Sequence, residues 1–267
     1  MPTLDVVTPD TFFGMFKGEP GTRKSTAALS FPTPQYWFDV DQKIKAMLLP
    51  GKRWGINFKD VEFDRYTDWN SIRVKLEKLQ VSCPYKTLIM DSITSIGDAV
   101  NRQTMKFKTG TTTKSGEEKG MRVAGIPVNT LEDYKAEASA FSEMLALLKD
   151  INQFHKTNVI LIAHVIGDRN IPDSRTHFAR IIVTGGKIIS AKIPAYCEEV
   201  YHFNVEGAID TSKEGSYGLK TVHTGDDFAR TSLPLPASIV FNNEPLYERW
   251  IKPAMQQLKD EKPVTKF

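Results

Sequence analysis

Apolar residues in this chain fall in short runs that end at a glycine or an acid, and between the runs the pattern lengthens to a helical repeat. "TFFGMFKG" (11–18) is a continuous apolar run closed by glycine, the mark of a buried strand. "KSTAALSF" follows as the start of a helix that Pro32 and Pro34 close. "QYWFDVD" (35–41) reads as a second buried strand ending in two acids, and "VEFDRY" (61–66) as a short alternating one. "WNSIRVKLEKLQ" places Ile72, Val74, Leu76 and Leu79 at amphipathic spacing. "KTLIMDS" (86–92) is a third apolar strand ending in an acid, and a helix is predicted from Ile93 to about Phe107. Residues 108–130 have no periodicity and are rich in Thr, Gly and charge, which predicts a mobile insertion. The helical period returns through Phe141, Leu145 and Leu148. "TNVILIAHV" (157–165) is then the strongest strand signal, continuous and β-branched as a strand buried on both faces should be.

Beyond it the signals shorten. "ARIIVTGGK" and "EEVYHFNVEG" read as strands and "SYGLKTVHT" as half of a hairpin. "EPLYERWIKPAMQQLKD" reads as a C-terminal helix interrupted by Pro253. No repeat and no linker divides residues 1–267, so one α/β domain is expected, with a mostly parallel sheet flanked by helices.

Composition narrows the class little. The 267 residues are 40% hydrophobic and 25% charged with a net charge of +3, ordinary values that permit a nucleic-acid partner without arguing for one. Cys83 and Cys197 make neither a disulfide framework nor a metal pair, so a reducing compartment is expected. The first ten residues lack a signal-peptide pattern, and no apolar run nears the ~18 residues of a membrane span. The expectation is a cytoplasmic protein with no membrane partner.

The strand ends carry the chemistry. The first strand runs into Gly18, Glu19, Pro20, Gly21, Thr22, Arg23, Lys24 and Ser25, followed by Thr26. This matches the phosphate-binding P-loop G-x-x-x-x-G-K-[ST] except that Arg23 replaces the second glycine. Such a loop cradles phosphate oxygens with backbone N–H groups, so ATP is the expected cofactor. Lys24 would reach the β- and γ-phosphates, and Ser25 together with Asp91 at the third strand end would hold Mg²⁺. Asp39 or Asp41 would orient or deprotonate the attacking water, and His164 would sense the γ-phosphate. Arg23, at the start of a helix, is expected to keep ordinary helical φ with its guanidinium exposed.

These segments, with "TGGKIISAKIPAYCEEVYHF", resemble the RecA-like P-loop ATPases. More narrowly they resemble the small bacteriophage AAA-domain proteins that act as single-strand annealing recombinases. The resemblance covers roughly residues 12–241 and implies a RecA-like fold with a C-terminal hairpin. It implies an ATPase acting on single-stranded DNA in annealing or strand exchange. It puts Asp41 at the position of a catalytic glutamate, where the shorter side chain implies slow hydrolysis, and it implies stimulation of that hydrolysis by DNA. It places a DNA-binding loop after the "ILIAH" strand, carrying Arg169, Arg175, His177, Phe178, Arg180 and Lys187. It also implies a homo-oligomer, ring or filament, completed across the subunit boundary by a basic finger such as Lys220 or Arg230. A single-strand binding protein is a further implied partner, and a phage origin would place the protein in the host cytoplasm. A P-loop switch or motor working on a protein partner, such as a helicase or packaging component, is the alternative. A small-molecule kinase fits less well, since no arginine-rich lid follows the third strand.

Overall fold

The computed structural model describes residues 10–109, 122–123, 126–127, 131–167, 180–182, 187–206, 216–224 and 228–260. Its elements, in order, are β1 (Phe13–Gly18), α1 (Lys24–Leu29), β2 (Gln35–Asp39), α2 (Leu48–Arg53), β3 (Val61–Arg65), α3 (Trp69–Val81), β4 (Thr87–Asp91) and α4 (Ile93–Thr109). A small ribbon, β5 (Arg122–Val123) with β6 (Ile126–Pro127), precedes α5 (Leu131–His155) and β7 (Asn158–Gly167). Then come β8 (Arg180–Ile182), α6 (Lys187–Tyr196), β9 (Glu199–Glu206), β10 (Ser216–Lys220), β11 (Ser238–Val240) and α7 (Lys252–Asp260).

The main sheet runs β11-β10-β9-β1-β7-β4-β2-β3, with β8 paired to β7. From β3 to β9 every pairing is parallel, while β10, β11 and β8 are antiparallel. The α/β class, the mostly parallel sheet and the C-terminal hairpin are therefore all present. Strands buried on both faces explain the continuous apolar runs. Tyr36, Phe38, Leu88, Met90, Val159 and Leu161 pack into a core with Ile72, Leu76, Phe141, Leu145 and Leu148 of α3 and α5. The alternate residues Trp37, Ile89, Ile160 and Ile162 join Ala27, Ala28 and Leu29 of α1 and Ile251 and Met255 near the C-terminus. Period-two alternation thus feeds two cores from each strand.

Three details differ from expectation. β2 stops at Asp39, two residues early, because the amides of both Val40 and Asp41 turn to the carbonyl of Asp91, at 2.9 and 3.1 Å. The helical segment near the C-terminus runs through Pro253 rather than breaking there. A π-helical turn over Tyr247–Ile251 precedes α7, so the missing N–H falls where the hydrogen-bond register changes. α4 continues to Thr109, and the expected 108–130 insertion otherwise lies outside the described residues apart from the β5–β6 ribbon.

The register sets the functional edge. Gly18 at the end of β1 lies level with His164 of β7, and Asp91 at the end of β4 lies level with Asp39 of β2 and Ile162 of β7. The carboxyl ends of four parallel strands therefore meet along one rim, where ligands bind in open α/β sheets.

Candidate functional site

The loop between β1 and α1 is shaped by close approach. A Cβ at Gly18 would meet the carbonyl oxygen of Phe203 at 2.5 Å, so only glycine fits beside β9. Gly21 has φ +84°, a conformation that favours glycine. Thr22 closes the turn by donating to the Glu19 carbonyl at 2.8 Å. Lys24 is buried, and its Nζ donates to the carbonyls of Gly18 and Glu19 at 2.9 and 2.8 Å. Burial pulls its pKa down to about 8 against the pull of Asp91, Asp41 and Glu19. It is a desolvated cation resting on loop carbonyls, beside a cavity of about 250 Å³ that Pro20 to Thr26 line together with Asp41, Asp91 and His164.

Asp91 takes the opposite shift. Burial raises its carboxyl to about 6, Asp41 and Asp39 add to the rise, and a hydrogen bond from Ser25 works against it. Two oxygen donors thus sit together beside the loop, one of them a carboxyl that burial and two acids hold short of full ionisation. A divalent cation suits that deficit. Mg²⁺ takes one or two protein oxygens and completes its shell with water and phosphate. Ser25 and Asp91 fit this requirement, and among the described residues no cluster of three or more His, Cys, Asp or Glu offers a denser metal site.

The two acids of the second strand separate in role. Asp39 is buried and accepts from the amides of Lys43 and Ile44 at 2.9 and 3.4 Å, which caps the turn after β2. Asp41 faces the cavity. Its Oδ1 accepts from Ser92 at 2.8 Å and from Ser95, and its Oδ2 lies 3.2 Å from His164 Nε2 and 3.7 Å from Lys43 Nζ. Burial pushes Asp41 up, but the hydrogen bonds from His164, Ser95 and Ser92 outweigh it and hold the carboxyl below the usual range. His164 is held in turn by its backbone amide, which donates to Thr94 at 3.1 Å. Among the described residues His164 Nδ1 is buried without a hydrogen-bond partner. Ser92, Ser95 and Thr94 escaped the sequence reading. Their signal was only a run of hydroxyls, "DSITS", just past the strand acid. Asp41, Ser95 and His164 also line a larger cleft of about 700 Å³ with Tyr66, Asp68 and Arg102.

Arg23 departs from its expectation. It lies in the left-handed region, at φ 63° and ψ 25°, and its half-buried guanidinium is tied to its own chain. It donates to the Asn242 carbonyl at 2.8 Å and to Asn243 Oδ1 at 2.7 Å, and it lies 3.5 Å over the Tyr217 ring. Lys220 and Arg230 do not line the cavity. Lys220 ends β10, paired with His202 of β9. Arg230 bridges Val200 through its backbone, and its guanidinium donates to the carbonyls of Ala195 and Cys197. Arg169, Arg175, His177 and Phe178 fall outside the described residues. Arg180 starts β8 and Lys187 starts α6.

A family model described as "AAA domain" matches residues 14–233, most of the chain and all of the rim just described. The chain belongs to this AAA domain family. The loop of the AAA domain, its buried lysine and its strand-end acids make it a nucleotide-binding P-loop ATPase domain. None of the curated proteins matches the chain. Among solved structures it is similar to the RadB recombinase, at 14% identity and a TM-score of 0.48 over 80% of each chain. Among the described residues no helix of the AAA domain is long and apolar enough to cross a membrane.

Proposed function

We propose that this protein binds ATP with Mg²⁺ and hydrolyses it while acting on single-stranded DNA, in annealing or strand exchange. The observation that carries the nucleotide part is one cavity at the sheet's carboxyl rim. Lys24 and Ser25 of α1, Asp41 of the turn after β2, Asp91 of β4 and His164 of β7 all reach it. In this reading Lys24 leaves the carbonyls of Gly18 and Glu19 for the β- and γ-phosphates, exchanging dipoles for full charges. Ser25 and Asp91 hold Mg²⁺, which when bound neutralises charge on the phosphate oxygens. Asp41 stays ionised, fixed by Ser92 and Ser95, and orients a water toward the γ-phosphate. His164, in contact with Asp41, helps fix that carboxylate and registers the γ-phosphate.

The DNA part rests on the resemblance and on the basic, aromatic-bearing segment 169–187 that β7 leads into. Because His164 lies three residues before the end of β7, nucleotide state and that segment share one strand. The deciding measurement is the rate of phosphate release with and without single-stranded DNA of random sequence. Stimulation by single strands, lost in Lys24→Ala, is expected. ATP turnover indifferent to DNA would favour a protein partner, and turnover unchanged in Lys24→Ala would remove the site from this loop.

A further inference from the structure

Arg23 occupies the place of a P-loop glycine and yet adopts the glycine-type backbone. For a residue with a Cβ, that conformation carries a cost equivalent to roughly tenfold in an equilibrium, and it persists only where surroundings over-determine it. The surroundings here are specific. One guanidinium nitrogen, Nη1, donates to both the Asn242 carbonyl and Asn243 Oδ1, 219 and 220 positions away in the chain, and the guanidinium carbon lies over the Tyr217 ring.

Those partners are themselves fixed. The Tyr217 carbonyl accepts from the amides of Phe241 and Asn242 at 3.0 and 3.2 Å, and the Tyr217 amide donates to Asn242 Oδ1 at 2.8 Å. Trp54 Nε1 donates to the Asn243 carbonyl at 2.8 Å, and Arg53 reaches Asn243 Oδ1 at 3.3 Å. The anchor therefore joins the phosphate loop to β10, to the end of β11 and to the residue after α2.

We infer that Arg23 is a positioning residue for the phosphate loop, a latch. Through Tyr217, Asn242 and Asn243 it holds the loop backbone in the turn that presents its N–H groups to phosphate. The inference rests on the reading of Gly18–Thr26 as a nucleotide loop. It explains how this chain dispenses with the glycine: an anchored side chain substitutes for backbone freedom. Glycine at this position would take the same φ without an anchor. Alanine would keep the Cβ and lose the anchor. Lysine would keep a charge and lose the planar guanidinium that lies over the ring while its Nη1 reaches both asparagines.

The test is a double-mutant cycle on full-length protein, read as the affinity for a fluorescent ATP analogue with Mg²⁺, alongside nucleotide-free unfolding midpoints. Arg23→Ala and Tyr217→Ala are each expected to weaken binding about tenfold. Arg23→Gly should recover most of the Arg23→Ala loss, and Tyr217→Phe, which keeps the ring, should bind like the parent. Tyr217→Ala in the Arg23→Gly background should cost almost nothing, because no latch is left to break. If Tyr217→Ala lowers the midpoint, exposed Asn243→Ala replaces it in the cycle. Equal losses in both backgrounds, or an Arg23→Ala protein that binds as well as Arg23→Gly, would overturn the latch. A parent protein that does not bind the analogue, or binds it as well after Lys24→Ala, fails one step earlier and removes the loop reading with it.

Discussion

Asp41 and His164 stand 123 positions apart and meet at 3.2 Å, and the chemistry of the rim turns on how their neighbours bias them. A carboxyl held below its usual range is a poor proton acceptor and a good dipole-orienting group. Asp41→Asn is therefore expected to bind ATP within a few-fold of the parent while phosphate release falls about 100-fold. Asp39→Asn should act on stability, since Asp39 spends its oxygens on backbone amides. Loss of turnover in Asp39→Asn with normal turnover in Asp41→Asn would reverse that assignment. The pH profile follows from two burial shifts. Lys24 has a folded pKa lowered to about 8, so its desolvation cost is fully present below that pH and is relieved as pH rises toward 10.5, while its attraction for phosphate disappears over the same range. Asp91 is raised to about 6, so it becomes a full metal ligand only as pH climbs past that value. Affinity for ATP with Mg²⁺ should thus peak between about 6 and about 8, falling on the acid side through Asp91 and on the alkaline side through Lys24. Isothermal titration across pH 5 to 9.5 checks it, and a flat alkaline limb would contradict a cationic role for Lys24.

At the scale of elements, the central strands β1, β2, β4 and β7 were legible because each is apolar on both faces, and the loop was legible because its glycines and lysine keep local spacing. What stayed hidden depends on distant groups. The end of β2 is set by the Asp91 carbonyl, which captures the amides of Val40 and Asp41. The φ of Arg23 is set by Tyr217, Asn242 and Asn243, which no local pattern around the loop announces. Ser92 and Ser95 gain their role only because β4 lies beside β2. The element-scale prediction concerns Gly18, wedged between β7 and β9. Its added Cβ in Gly18→Ala would lie 2.5 Å from a backbone oxygen, which no side-chain rotation can relieve. Overpacking of this kind costs about 1–3 kcal/mol. Gly18→Ala should lower the urea midpoint and weaken ATP binding together, and an unchanged midpoint would mean that β9 yields at that point.

For the whole molecule, the proposed function requires that nucleotide and single-stranded DNA communicate. The sheet places the ATP rim and the start of the basic segment on one strand, with His164 between them. Single-stranded DNA offers phosphate charge and exposed base faces, whereas duplex offers the charge and hides the faces. Arginines of the 169–187 segment should therefore bind single strands of any sequence, and Phe178 should stack on bases. Each phosphate neutralised on a single strand contributes a log–log salt slope of about −0.7. Replacing Arg175 and Arg180 together with alanine should flatten that slope by about 1.4 and leave DNA-free hydrolysis intact. ATP should tighten DNA binding, and by reciprocity single strands should tighten ATP binding by the same factor. Anisotropy titrations at several salt concentrations, with and without nucleotide, measure both quantities. An unchanged slope in the double variant would move the DNA contact elsewhere on the molecule. Absence of single-strand binding at low salt with ATP present would leave an ATPase whose partner is a protein.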